Sequence, residues 1–127
     1  MTRPGWILLF AVLFGTAALA AESEMDAEID YLLAAVAESD CEFIRNGKEY
    51  DGEDARDHLQ MKRERGRKYY DSSEEFIERI ASKSSWSGKP YRIRCGSVEE
   101  NAGDWFMSLL KVFREESTAG DTLTTGT

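Results

Sequence analysis

One histidine, a cluster of serines and two cysteines are the residues whose types invite chemistry. His58 has Asp54 one turn before it and Lys62 one turn after, so a helix would put all three on one face. An imidazole oriented by a carboxylate is the pattern of a general base, or half of a metal site. The plainer reading is a half-buried histidine that packs and hydrogen-bonds. It is preferred, because there is no second histidine and Asp-x-x-x-His arises often by chance. Ser82-Lys83-Ser84-Ser85-Trp86-Ser87-Gly88-Lys89 offers serine nucleophiles beside a lysine. It lacks the Ser-x-x-Lys helix spacing of the penicillin-binding enzymes. Its plainer reading is a helix end and turn whose hydroxyls satisfy backbone groups. The catalytic candidates are therefore His58, Asp54, Ser84 and Ser85. The candidates for holding a ligand are Arg45, Lys62, Lys83 and Lys89.

Lys62-Arg63-x-Arg65-Gly66-Arg67-Lys68 is the one basic run. It is a local anion site or, more simply, positive charge placed at a helix C-terminus. Cys41 and Cys95 form no Cys-x-x-Cys pair, so a structural bond is expected rather than redox chemistry. Nothing in the chain calls for a metal or a cofactor.

The elements that must position these groups read as a small α+β domain. Phe43-Ile44-Arg45 and Lys48-Glu49-Tyr50 flank Asn46-Gly47, a dipeptide suited to a two-residue hairpin turn with positive φ. That turn sets Phe43 opposite Tyr50 and Arg45 opposite Lys48. Tyr91 to Cys95 reads as a third strand. If Cys41 and Cys95 bond across an antiparallel pair, Phe43 faces Ile93 and Glu42 faces Arg94. Cys41, Phe43, Tyr50, Tyr91, Ile93 and Cys95 then share one face. The expectation is a three-stranded antiparallel sheet, hairpin 42–50 plus strand 91–95, packed with about four helices and closed by one disulfide.

Met25, Ile29, Leu32, Leu33 and Val36 follow helical spacing over residues 24–38. Asp51 is placed to cap a helix over 52–65, with Gly66 as its stop. Ala55, Leu59 and Met61 give that helix a thin apolar stripe. Ser72-x-x-Glu75 is a capping-box pattern opening a helix over 73–83, with Phe76, Ile77, Ile80 and Ala81 inward. Residues 96–103 read as a loop. A last helix starts at Asn101 or Asp104 and ends near Glu116, carrying Trp105, Phe106, Leu109, Leu110 and Phe113.

Residues 1–20 read as a signal peptide: Arg3, an apolar run from Trp6 to Phe14, and an Ala-x-Ala site ending at Ala20. The expected organisation is signal 1–20, one domain over 21–116 and a disordered tail over 117–127. The full chain carries 16 Lys+Arg against 24 Asp+Glu, a formal charge of −8. Loss of Arg3 with the signal makes that −9. Such a charge argues against nucleic acid and anionic membrane as main partners. It leaves an envelope protein or ligand as the expected partner, with no stable membrane insertion after cleavage.

The series Phe43-Ile44-Arg45-Asn46-Gly47, Tyr50, His58-Leu59-x-x-Lys62, Phe76-Ile77 and Ala81-Ser82-Lys83-Ser84-Ser85-x-Ser87-Gly88-Lys89-Pro90-Tyr91 resembles the YfeK-like family. This is a group of small bacterial periplasmic proteins with a domain of unknown function. The resemblance spans roughly residues 28–105. It implies a Gram-negative envelope location and supplies no activity, substrate or catalytic residue. The expected function is a non-enzymatic binding or interaction module of the periplasm. The alternatives are a small hydrolase pairing His58 with a serine of 82–87, and an inhibitor of a basic hydrolase, the latter motivated only by the acidic charge.

Overall fold

The computed structural model describes the backbone of residues 7–125 and the side chains of residues 17–120. Arg3 and the side chains of the apolar run at 6–14 lie outside the described residues. The element order is α1 (Ile7–Glu38), β1 (Glu42–Arg45), β2 (Lys48–Tyr50), α2 (Gly52–Arg65), a 3₁₀ turn (Arg67–Tyr69), α3 (Ser73–Phe76) running into a π-helical turn (Ile77–Ala81), β3 (Arg92–Cys95), β4 (Val98–Asn101) and α4 (Ala102–Thr125). The architecture is α+β, as the spacing predicts.

The hairpin forms with Asn46 at φ 51° and Gly47 at φ 78°, the left-handed pair that a tight turn of this kind demands. Its register is Phe43 opposite Tyr50 and Arg45 opposite Lys48. β1 also pairs antiparallel with β3, with Glu42 opposite Arg94, Phe43 opposite Ile93 and Ile44 opposite Arg92. Cys41 and Cys95 are bonded, with their Cα atoms 4.3 Å apart, as directly opposed residues of an antiparallel pair allow. On the other sheet face Arg94 donates to Glu42 and Glu49.

The sheet has four strands, in the order β2-β1-β3-β4, and this corrects the expected three. The segment read as a loop contains β4, which pairs with β3 from Cys95↔Val98 to Arg92↔Asn101. Gly96-Ser97 is the two-residue turn between them, with Gly96 at φ 64°. β4 is an acidic edge strand, Val98-Glu99-Glu100-Asn101, and lacks the β-branched run that announces a strand. Its identity comes from across the ladder. Arg92 reaches Glu99 at 2.9 Å and donates to Asn101 at 2.8 Å.

The helix caps form where the sequence places them. The Asp51 carboxylate accepts from the Asp54 N–H at 2.9 Å, and the Ser72 hydroxyl accepts from the Glu75 N–H at 3.1 Å. Glu75 reaches back to the Asp71 N–H at 2.8 Å. α1 starts at Ile7, upstream of the expected Glu24, and passes unbroken through Ala20-Ala21. α4 runs to Thr125, past the expected end near Glu116. Its side chains from Arg114 to Gly120 are all exposed, so no apolar stripe marks that extension.

The core is one cluster between the helices and one sheet face. α1 contributes Met25, Ile29, Leu32, Leu33 and Val36; the sheet contributes Phe43, Tyr91 and Ile93; α4 contributes Ala102, Phe106 and Leu110. Tyr70 is also buried, its ring edge-on to Phe76. α1 and α2 approach closely at Gly52, where an added Cβ would sit 2.2 Å from the Val36 carbonyl oxygen. That contact fixes α2 against the end of α1, and so fixes the face that α2 turns toward the hairpin.

Candidate functional site

α2 presents His58, Met61, Lys62 and Arg65 at spacings of three, one and three residues, a single helical stripe. Opposite it, β1 ends in Arg45, two residues beyond buried Phe43. Tyr91 leads into β3. The segment after the π-helical turn supplies Lys83, Ser84, Ser85 and Trp86. These residues, with Gly66, Tyr69, Arg79 and Ile80, line a cleft of about 590 Å³.

The segment 82–91 is pinned at its base. Tyr91 N–H donates to the Ser82 carbonyl and Ser84 N–H to the Lys89 carbonyl, each at 2.9 Å. Ser84 Oγ accepts from the N–H groups of Trp86 and Ser87 at 3.3 and 3.2 Å, and from Asn46 Nδ2 at 3.3 Å. Ser87 Oγ donates to Asn46 Oδ1 at 2.6 Å. Asn46 thus joins the hairpin turn to this loop. The outcome is a braced turn that carries Trp86 with 91% of its surface exposed.

The cleft floor is a chain of donors. Lys62 is 8% exposed, and its ammonium donates to the Lys83 carbonyl at 2.8 Å and to Tyr91 Oη at 3.0 Å. It also lies 4.8 Å from the centre of the Tyr91 ring. His58 Nε2 is 3.2 Å from the same phenol oxygen. Arg45 Nη1 is 3.1 Å from His58 Nδ1 and 3.0 Å from Nε2, and its Nη2 donates to Tyr50 Oη at 2.9 Å. Arginine only donates, so the ring nitrogen it serves must carry a lone pair. Both neutral tautomers meet this: Nδ1 accepts from Arg45 while Nε2–H donates to Tyr91, or Nε2 is the acceptor.

The electrostatics agree with a neutral imidazole. Burial, then the positive charges of Arg45 and Lys62, pull His58 down to about 4. Burial, then Arg45 and Lys83, pull Lys62 down to about 8. Tyr91 is pushed up, chiefly by burial. Among the described residues, the cleft lining contains no aspartate or glutamate. Among the described residues, every arginine has a carboxylate within 4 Å except Arg45 and Arg65, and both of those line the cleft. Lys62 and Lys83 form no ion pair among the described residues either.

The candidate residues separate into two groups. Arg45, His58, Lys62, Lys83, Ser84 and Ser85 come together at the cleft. Lys89 is exposed and does not line it. Asp54 lines a smaller cavity of about 150 Å³ with His58, Arg45 and Tyr50, but no hydrogen bond joins Asp54 to the imidazole among the described residues. His58 shares the cleft with Ser84 and Ser85, yet its hydrogen-bond partners are Arg45 and Tyr91 rather than a hydroxyl. Ser82 Oγ donates to the Glu78 carbonyl at 2.6 Å and so acts within the backbone, as the plainer reading holds. Tyr91 and Trp86 are functional candidates that the chemistry-first reading passes over. Tyr91 looks like a core strand residue, and Trp86 like one residue of a turn. Trp86's exposure is the clue, and only the fold reveals it.

No solved structure matches this chain. An uncharacterised protein of Salmonella typhimurium, YfeK, is 42% identical over 67 residues, a segment covering 52% of this chain. The same segment covers 56% of that protein, so the chain spans little more than half of the relative's length. A family model described as a family of unknown function, DUF5329, matches residues 23–114, and the chain belongs to that YfeK-like family.

Proposed function

We propose that this chain is a non-enzymatic binding module that takes up an anionic ligand in the cleft between α2, the hairpin and loop 82–91. One observation carries the reading. Arg45, Lys62, Arg65 and Lys83 converge on a cleft lined, among the described residues, by no carboxylate, in a protein whose net charge is −8. A desolvated ammonium without a counter-ion is costly, and the cost is visible in the lowered proton affinity of Lys62. An incoming anion supplies both the missing charge and the missing acceptors. Lys62 uses two of its three hydrogens within the protein. Tyr91 Oη accepts from Lys62, and in the tautomer where His58 Nε2–H also donates to it, its own hydrogen is left to donate into the cleft.

The N-terminal segment and the disulfide support a periplasmic setting, where such a bond persists. Mass spectrometry of the exported protein should then find a new N-terminus at Ala21 or Glu22. Recovery of intact Met1 in the membrane fraction contradicts export.

Calorimetric titration with inorganic phosphate tests the binding reading. The wild-type protein should bind, and Lys62→Met should lose at least about tenfold in affinity, the factor that roughly 1.4 kcal/mol represents. Equal binding by wild type and Lys62→Met, or no binding of phosphate, sulfate or acetate by the wild type, rejects it.

A further inference from the structure

We infer that the ligand is an anionic sugar: a hexose ring that packs on Trp86 and carries a carboxylate or phosphate directed at Lys62, Arg45 and Lys83. The inference rests on the anion-binding reading and names its substrate class. Three observations lead to it. The first is size. The cleft of about 590 Å³ far exceeds what a bare oxyanion fills, given that a water occupies about 30 Å³. The ligand therefore has a body as well as a charged head.

The second is the division of the cleft into two zones. Its floor is cationic and buried, around Lys62 and Tyr91. Its mouth is aromatic and open, with Trp86 91% and Tyr69 56% exposed. Half-buried Met61 and buried Ile80 add apolar surface to the same lining. An indole held in water presents a flat apolar face next to polar groups, the surface on which the C–H face of a sugar ring packs while its hydroxyls stay hydrated.

The third is bracing. The turn carrying Trp86 is tied to the hairpin through both polar atoms of Asn46 and folds around Ser84 Oγ. A fully exposed tryptophan gains little from folding, so a braced turn that exhibits one is unexplained by stability alone. The π-helical turn at Ile77–Ala81 lies at the same edge and delivers Arg79, Ile80 and Lys83 to the cleft, a type of irregularity that often accompanies function.

The other depressions carry less. The groove along α4 contains Lys111, Arg114 and Glu115, so it holds both signs, and Arg114 is already engaged by Glu28 and Glu74.

The test compares matched ligands on the full-length protein as purified: inorganic phosphate against glucose 6-phosphate, acetate against glucuronate, and uncharged glucose alone. The ring should add about tenfold in affinity within at least one charged pair, with glucose alone far weaker. Whichever pair gains identifies phosphate or carboxylate as the head. Trp86→Ala should erase that gain, so that the variant binds inorganic phosphate and glucose 6-phosphate, or acetate and glucuronate, equally, with the melting temperature unchanged. If neither pair gains, or if the gain survives Trp86→Ala, the sugar inference is overturned and anion binding still stands. If no anion binds at all, both readings fall together.

Discussion

Two regions of this protein treat positive charge in opposite ways. On the α1–α3–α4 side, Arg114 donates to Glu28 at 2.7 and 3.1 Å and to Glu74 at 2.8 and 3.0 Å. Both carboxyl groups are held below their ordinary range, chiefly by that guanidinium, and Arg114 is held above its own. Ser73 completes the arrangement by donating to Glu28 at 2.7 Å. At the cleft, Arg45, Lys62, Arg65 and Lys83 gather without a carboxylate, and two titratable groups are held in their neutral forms' favour. The first region joins three helices that are distant in sequence. The second leaves its cations without carboxylate partners among the described residues, and burial there works against the charged form of Lys62.

Breaking the frame that carries both regions should have the largest effect. Replacing Cys41 and Cys95 together by alanine should lower stability by about 4 kcal/mol, measured by urea denaturation, because the bond closes a 54-residue separation. Anion affinity of the protein that remains folded should be unchanged, since the sulfurs lie outside the cleft. Loss of affinity in folded protein would show that the bond shapes the site itself.

Arg114→Ala comes next. It leaves Glu28 and Glu74 facing each other, with the Glu28 side chain only 14% exposed. Stability should fall by about 1–2 kcal/mol, and phosphate affinity should not move. The same contrast appears in pH. Glu28 and Glu74 have lowered proton affinity in the fold, so their stabilisation is present above the ordinary carboxylate range and lost as pH falls through it. Arg114→Ala should flatten that acid limb.

Lys62→Met should have the smallest effect on stability and the opposite pH signature. Lys62 sits at about 8 in the fold against about 10.4 in the unfolded chain. Between those values the unfolded chain holds more protons, so wild-type stability should rise with pH across that window. Lys62→Met should lack the rise, and at neutral pH its stability should lie within about 1 kcal/mol of wild type, because an uncompensated charge has gone. Denaturation midpoints at pH 7, 8, 9 and 10 for both proteins measure this. A rise of equal size in the variant would assign it to other lysines.

The legible parts of this fold were those with local rules. Asn46-Gly47, the Asp51 and Ser72 caps, and the alternation of Phe43 with Ile93 across an assumed disulfide each follow from nearest neighbours and period two. β4 escaped because Val98-Glu99-Glu100-Asn101 has poor strand propensity and is held by partners on β3, although Gly96-Ser97 is a hairpin dipeptide in its own right. The site was legible as an inventory: Arg45, His58, Lys62 and Lys83 were all candidates by type. Their meaning was not. Lys62 falls in line with Ala55 and Leu59 by helical spacing, but its residue type argues for solvent, and only the packing shows that it is buried. Tyr91 reads as a core aromatic, and only the placing of His58 and Lys62 of α2 beside it turns its hydroxyl into the hub of the cleft. Asp54 shared the helix face of His58, but the imidazole turns toward Arg45 and Tyr91 instead.

The central claim is that Lys62 and its neighbours are kept without a counter-ion so that a ligand's anion can provide one. The direct measurement is the protonation of Lys62, followed by NMR of its side chain from pH 6 to pH 11 with and without saturating sulfate, which stays a dianion throughout. Without sulfate the ammonium should titrate at about 8. With sulfate it should titrate higher, toward the ordinary lysine value of about 10.4, because a bound dianion favours the charged form. A titration midpoint that sulfate does not move would contradict the account.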